Sequence, residues 1–195
     1  MKATSINFAT IPQKTINILT SPTEFFRKMP KRGGFIEPFT FVVVMGVIHS
    51  LIQAVAYFLG IKIAIVTSFG LSFIIIFPLI MAIFSFIAAI ILFAIWKLLG
   101  SVQSYETAYR CVAYISALTL IITPLNFIPL IGSLISTILA TIFHVIASVE
   151  VHNIPSKKAW LVFGIIGAIQ MTINIIRQII YYKIAFNIVC SYFLC

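Results

Sequence analysis

Between Ile63 and Trp96 the chain carries no Asp, Glu, Lys, Arg or His. No soluble domain can hide such a run, so the fold is set by a lipid bilayer, whose hydrocarbon core takes about 20 mainly apolar residues per spanning helix. Four further stretches meet or approach that requirement. Hydrophobic residues make up 62% of the chain and charged residues 9%, and the mean hydropathy of +1.16 lies outside the range of soluble domains. In 195 residues, five spans with short connections leave no room for a separate catalytic domain. The expected fold is all-α, a polytopic bundle of five transmembrane helices preceded by an interfacial amphipathic helix.

The spans run from about 35 to 59, 71 to 99, 108 to 123, 131 to 151 and 159 to 180. The second is ambiguous, because its uncharged run begins at Ile63 and Pro78 interrupts it, as a hairpin of two short helices would. Charge separates the two options. With five spans and the N-terminus inside, ten of the 13 cations share the cytoplasmic side, leaving Lys62, Arg177 and Lys183 for the other; a sixth span moves Lys97, Arg110, Lys157 and Lys158 across. The excess of Lys and Arg on cytoplasmic loops favours five, with the C-terminus outside. The uncharged segment from Thr123 to Ile131, with Pro124 and Pro129, is then the tight outer turn.

Three regions follow from this layout: a basic cytoplasmic segment over 1–34, a membrane domain over 35–183 and a short tail over 184–195. The first segment lacks the apolar core of a signal peptide, so Met1 is the expected mature terminus. Its six cations face a single acid, Glu24. Ser21-Pro22-Thr23-Glu24 reads as a capping box, with Ser21 as N-cap and Pro22 at the first helical position. The helix that follows places Phe25, Phe26 and Met29 on one side for burial in the interface, with Arg27 and Lys28 toward anionic headgroups. Gly33-Gly34 ends it and turns the chain into the bilayer.

Polar residues inside spans ask what they face, because lipid does not solvate them. His49, Gln53 and Tyr57 recur every four residues on the first helix, and Gln170, Asn174 and Arg177 form a like stripe on the fifth. These six either glue helices together by hydrogen bonds or line a shared polar cavity. On the fourth helix Gly132, Ser136, Ala140, His144, Ser148 and His152 follow at steps of four, beginning as a small-residue ridge for close helix contact; Gly164 and Ala168 offer a second small pair. His144 and His152 stand eight residues apart, over 10 Å along a helix, too far to chelate one ion. Cys111, Cys190 and Cys195 show no metal or redox spacing. Cys190 and Cys195 pair only if an oxidising compartment and their geometry allow it. No metal and no cofactor is expected.

At the cytoplasmic start of the third span Glu106 precedes Arg110 by one turn, the favourable order for a helical ion pair, and Tyr114 follows one turn later. Glu150 falls at the same level at the end of the fourth span. The expectation is a clasp in which Arg110 bridges Glu106 and Glu150, with Tyr109, Tyr114 and His152 around it. No nucleophile, paired-carboxylate spacing or Gly-rich phosphate loop accompanies these residues, so no enzyme activity is expected.

The chain resembles the prokaryotic branch of the Yip family of five-span membrane proteins. The resemblance rests on Leu19-Thr20-Ser21-Pro22 with Glu24-Phe25-Phe26, on Ser104-Tyr105-Glu106 through Tyr109-Arg110 to Tyr114, and on Phe143-His144-Val145 through Glu150-Val151-His152 to Ala159. It implies an N-inside, C-outside topology. Eukaryotic relatives, named as partners of Ypt/Rab GTPases, act in vesicle budding and membrane shaping through a long cytosolic N-terminal region. That region and the aspartate-leucine-tyrosine-glycine-proline segment are missing here, the sequence having no Asp at all, so Rab binding does not transfer. What remains is an integral membrane scaffold or adaptor acting through its cytoplasmic face. The alternative is a small transporter or channel using the polar stripes. The expected partners are anionic lipid headgroups and a membrane protein or second copy docking on small-residue helix faces; nucleic acid is not among them.

Overall fold

The computed structural model describes residues 8–61 and 72–193, with Tyr182 and residues 184–193 in their backbone alone. Lys62, the start of the uncharged run, and Cys195 lie outside the described residues. Among those described there is no strand, and five helices are long and apolar enough to cross a membrane. In chain order the helices are α1 Thr10–Thr20, α2 Pro22–Lys28, α3 Ile36–Phe58, α4 Phe73–Leu98, α5 Tyr105–Ile115, α6 Thr119–Leu125, α7 Ile131–Glu150 and α8 Ser156–Phe193. The third span is α5 and α6 joined by a 3₁₀ turn at Ser116–Leu118. Over Tyr105–Leu125 its 21 residues rise about 31 Å, just enough for a hydrocarbon core of about 30 Å.

Burial places this third span at the centre. Half of its apolar stretch is covered, against 22% for α4 and α8. The uncovered faces are apolar: Ile75, Leu79, Ile83 and Ile87 stand exposed along α4, and Leu161, Ile165, Ile169, Ile173 and Ile176 along α8. In water such stripes would drive aggregation; here they are the surface offered to acyl chains.

Pro78 does not split the second span. It sits in α4 with the helix continuing on both sides, and what packs on it is Gly46 of α3, where an added Cβ would come within 2.8 Å of the Pro78 Cα. The proline thus marks a close crossing of two helices. At the turn after α6, Leu130 takes a positive φ of 63° and the chain doubles back tightly enough that a Cβ on Gly132 would lie 1.8 Å from the Leu125 carbonyl oxygen. The small-residue ridge therefore starts by seating a turn. Where α7 meets α8 the close approach is at Gly167 against Thr141, and Gly164 has open space around it, so the pair Gly164 and Ala168 is not the contact.

The N-terminal segment holds more structure than expected. α1 was absent from the sequence reading, because its eleven residues are short and only Thr15 and Ile18 turn inward. α2 begins after Ser21 with Pro22 in its first turn as expected, yet the Ser21 side chain makes no capping bond, and Glu24 pairs with Lys28 at 2.6 Å instead. The Lys28 ammonium holds the Glu24 carboxyl below the usual carboxylate range. The apolar side of α2 is covered by protein: Phe26 is fully buried, edge-on to Phe143 of α7, and Phe25 meets Tyr114 of α5. Both short helices thus plug one end of the bundle. The start of α3, the end of α4, the start of α5, the end of α7 and the start of α8 all reach that end, here called the basic face.

Candidate functional site

Arg110 is the pivot of the basic face. Its side chain is 1% exposed, and a buried cation persists only with partners. Three elements supply them. Glu37, in the first turn of α3, lies 3.4 Å from Arg110 Nη2, Glu106 lies 3.7 Å from Nε, and the Gly34 carbonyl accepts from Nη2 at 3.3 Å. Nε finds no acceptor within hydrogen-bond distance, so Glu106 acts on it as a charge. Glu106 is itself held, accepting from the Gly34 amide at 2.7 Å.

The glycine pair gains a second role here. Gly33 and Gly34 have φ of 140° and 81°, and a Cβ on Gly33 would stand 2.8 Å from Arg110 Nη2. The turn thus brings bare backbone against the guanidinium. Ser104, whose hydroxyl caps α5 by accepting from the Thr107 amide, and the Thr107 hydroxyl, which donates to the Lys31 carbonyl at 3.0 Å, fix the loop on the helix.

Of the two partners expected for Arg110, Glu106 is in reach at 3.7 Å and Glu150 is not. α2 lies beneath α7, so Arg27 reaches Glu150 first, in a fork of 2.8 and 3.2 Å. Glu37, which the sequence reading passed over, takes the vacant role and also pairs with Lys14 of α1. Its signal was available: the chain has only four acids, and Glu37 opens a span. Tyr114 stays near the cluster, its hydroxyl beside the Glu37 carboxylate. Tyr109 does not; it is buried against α4, stacked on Phe86 at 4.3 Å and accepting from the Ser85 hydroxyl at 3.4 Å.

His152 also belongs elsewhere. It lies stacked on Trp96, with ring centroids 3.9 Å apart, its Nδ1 is 2.7 Å from the Ser101 hydroxyl, and Cys111 Sγ is 3.9 Å from Nε2. Trp96 donates to the Ser148 hydroxyl at 2.8 Å, which donates onward to the His144 carbonyl. This second cluster ties the ends of α4 and α7. Burial, aided by the charges of Lys31 and Lys97, pushes the His152 imidazole down to about 3. The folded state therefore keeps it neutral while the unfolded chain takes a proton near pH 6.5. Its contribution is intact above that pH and is lost as pH falls toward 3. Stability in detergent is expected to drop by roughly 1.4 kcal/mol per pH unit from this residue once pH is below 6. In His152→Gln the slope should be shallower by that amount, and parallel slopes in unfolding titrations from pH 7 to 5 would refute it.

The polar stripes lie deeper. His49 bonds Thr123 of α6 at 2.8 Å and Gln53 at 3.2 Å, and its ring stacks on Phe77. On α8, the Asn174 Oδ1 accepts from Gln170 at 3.3 Å and from Arg177 at 3.4 Å, while its amide donates to Thr137 at 3.1 Å. Between α4, α7 and α8 lies a cavity of about 1020 Å³, walled by Gln53, Gln170, Asn174 and Arg177 among others. His49 and Tyr57 are not in its wall. The space exists because α8 packs chiefly along α7 and leaves a gap toward α4.

The family model of the Yip1 domain matches residues 16–176, which takes in α2, the first four spans and the fifth as far as residue 176. No curated protein and no solved structure matches the chain.

Proposed function

The chain belongs to the Yip1 domain family of membrane proteins, and we propose that it is a non-enzymatic scaffold whose basic face, turned to the cytoplasm, gathers acidic surfaces. One observation carries this reading. All four side-chain carboxylates are paired within the chain, Glu24 with Lys28, Glu150 with Arg27, Glu106 with Arg110, and Glu37 with Arg110 and Lys14. Of the other cations of this face, Arg32, Lys97, Lys157 and Lys158 are exposed and pair with none of them, Lys97 lying over the Phe93 ring. The internal pairs brace α1 and α2 across the bundle, and the unneutralised cations are left exposed at that end. Such residues near an anionic surface contribute about 1 kcal/mol each.

The test uses the full chain in nanodiscs of neutral lipid, mixed with vesicles that contain or lack an anionic phospholipid. Association with anionic vesicles alone is expected, weakening with added salt. Changing Arg32, Lys157 and Lys158 together to Gln should cost about 3 kcal/mol, some two decades in affinity. Binding that ignores vesicle charge would end this reading. A second reading, passage of a solute through the bundle, is favoured by the polar-walled cavity; flux from proteoliposomes that depends on Gln53 and Gln170 would support it.

A further inference from the structure

We propose that the cavity between α4, α7 and α8 is a binding site for an anionic phospholipid, its phosphate held by Arg177 and an acyl chain lying along Ile91, Leu92 and Ile166. The inference is independent of the scaffold reading, because the charge that holds the ligand, Arg177, stands at the end of the membrane domain away from the basic face, and none of the exposed cations of that face lines the cavity.

Charge makes the first argument. Every side-chain carboxylate of the protein is engaged at the basic face, so none is left to neutralise Arg177. Among the described residues its one hydrogen bond is to the Asn174 Oδ1, and a guanidinium has five N–H donors. Asn174 is 7% exposed and is fixed by Thr137, so its oxygen anchors the arginine at one edge, and no other described residue takes the remaining donors. A planar fork with donors to spare and no side-chain carboxylate beside it, exposed near the far end of the fifth span, suits a phosphate or carboxylate.

Shape makes the second. From Phe163 to Arg177, both in the wall, the cavity follows α8 for about 21 Å at 1.5 Å per residue. That exceeds the roughly 15 Å depth of one leaflet's hydrocarbon. Beyond the polar row of Gln170 and Asn174, α4 and α8 wall the cavity with Ile91, Leu92, Ile95, Phe163 and Ile166 while α7 adds Thr141 and His144, and the outer faces of α4 and α8 are apolar and exposed. A free anion would find the charge but leave the apolar length empty. A lipid headgroup held by Arg177 with its chain directed inward fills both. On the α3 side the buried Gln53 Oε1 has no donor among the described residues, which a headgroup hydroxyl would supply.

The experiment measures thermal stabilisation of the delipidated full chain in detergent by phosphatidylglycerol, by diacylglycerol with the same chains, and by inorganic phosphate. Phosphatidylglycerol is expected to stabilise and the other two are not. Arg177→Gln should weaken the phosphatidylglycerol effect about tenfold in apparent affinity, with Thr172→Ala, exposed on α8 and outside the cavity wall, as the unaffected control. Ile166→Trp, which fills the apolar length and leaves the arginine in place, should weaken it as well. Equal stabilisation by diacylglycerol would mean no headgroup site, stabilisation by phosphate alone would mean an anion site without a lipid, and unchanged binding in both variants would place the lipid elsewhere; each of these overturns the proposal.

Discussion

Arg110→Met is expected to lower stability by about 3 kcal/mol, the low end of what removing one partner of a buried ion pair costs. The low end applies because Glu37 and Glu106 keep side-chain exposures of 34% and 24%, so water recovers part of their solvation once the arginine is gone. What remains is two carboxylates converging on an apolar side chain, with Lys14 their nearest relief. Adding Glu37→Gln to Arg110→Met should therefore restore part of the loss. Adding Glu150→Gln should not, since Glu150 belongs to Arg27. Unfolding in detergent decides it: rescue by the Glu150 change and none by the Glu37 change would return Arg110 to Glu150, the second of the two partners expected from sequence.

Trp96→Ala should cost about 3 to 5 kcal/mol, the range for deleting a fully buried aromatic. The indole covers His152 face to face, contacts Phe163 and donates to Ser148, so its removal opens a void where α4, α7 and α8 meet. Trp96→Phe keeps a ring on the imidazole and loses one hydrogen bond, a loss of about 1 kcal/mol. The two variants together separate packing from polarity. If the phenylalanine protein proves as unstable as the alanine one, the bond to Ser148 is the main contribution and the packing account is wrong.

The membrane class, the number of spans and their ends within a few residues were legible in the chain, because hydropathy over 20 residues depends on composition and not on neighbours. Glu106 beside Arg110 was legible for the same reason, since an i, i+4 pair is set by the helix itself. The capping role assigned to Glu24 was a local inference that failed locally: Lys28 sits one turn on and offers it a full charge. Partners across helices were another matter. Which acid meets Arg110 depends on which helix ends stand together. The docking of α2 beneath α7 took Glu150 away, and the entry of α3 beside α5 brought Glu37 in. Likewise a step of four residues put His144, Ser148 and His152 on one side of a helix, and only the approach of Trp96 and Ser101 turned that side into a cluster. The cavity at Arg177 belongs to the same kind of fact: periodicity on one helix supplies a stripe, and the distance at which the next helix stops decides whether it is glue or a site.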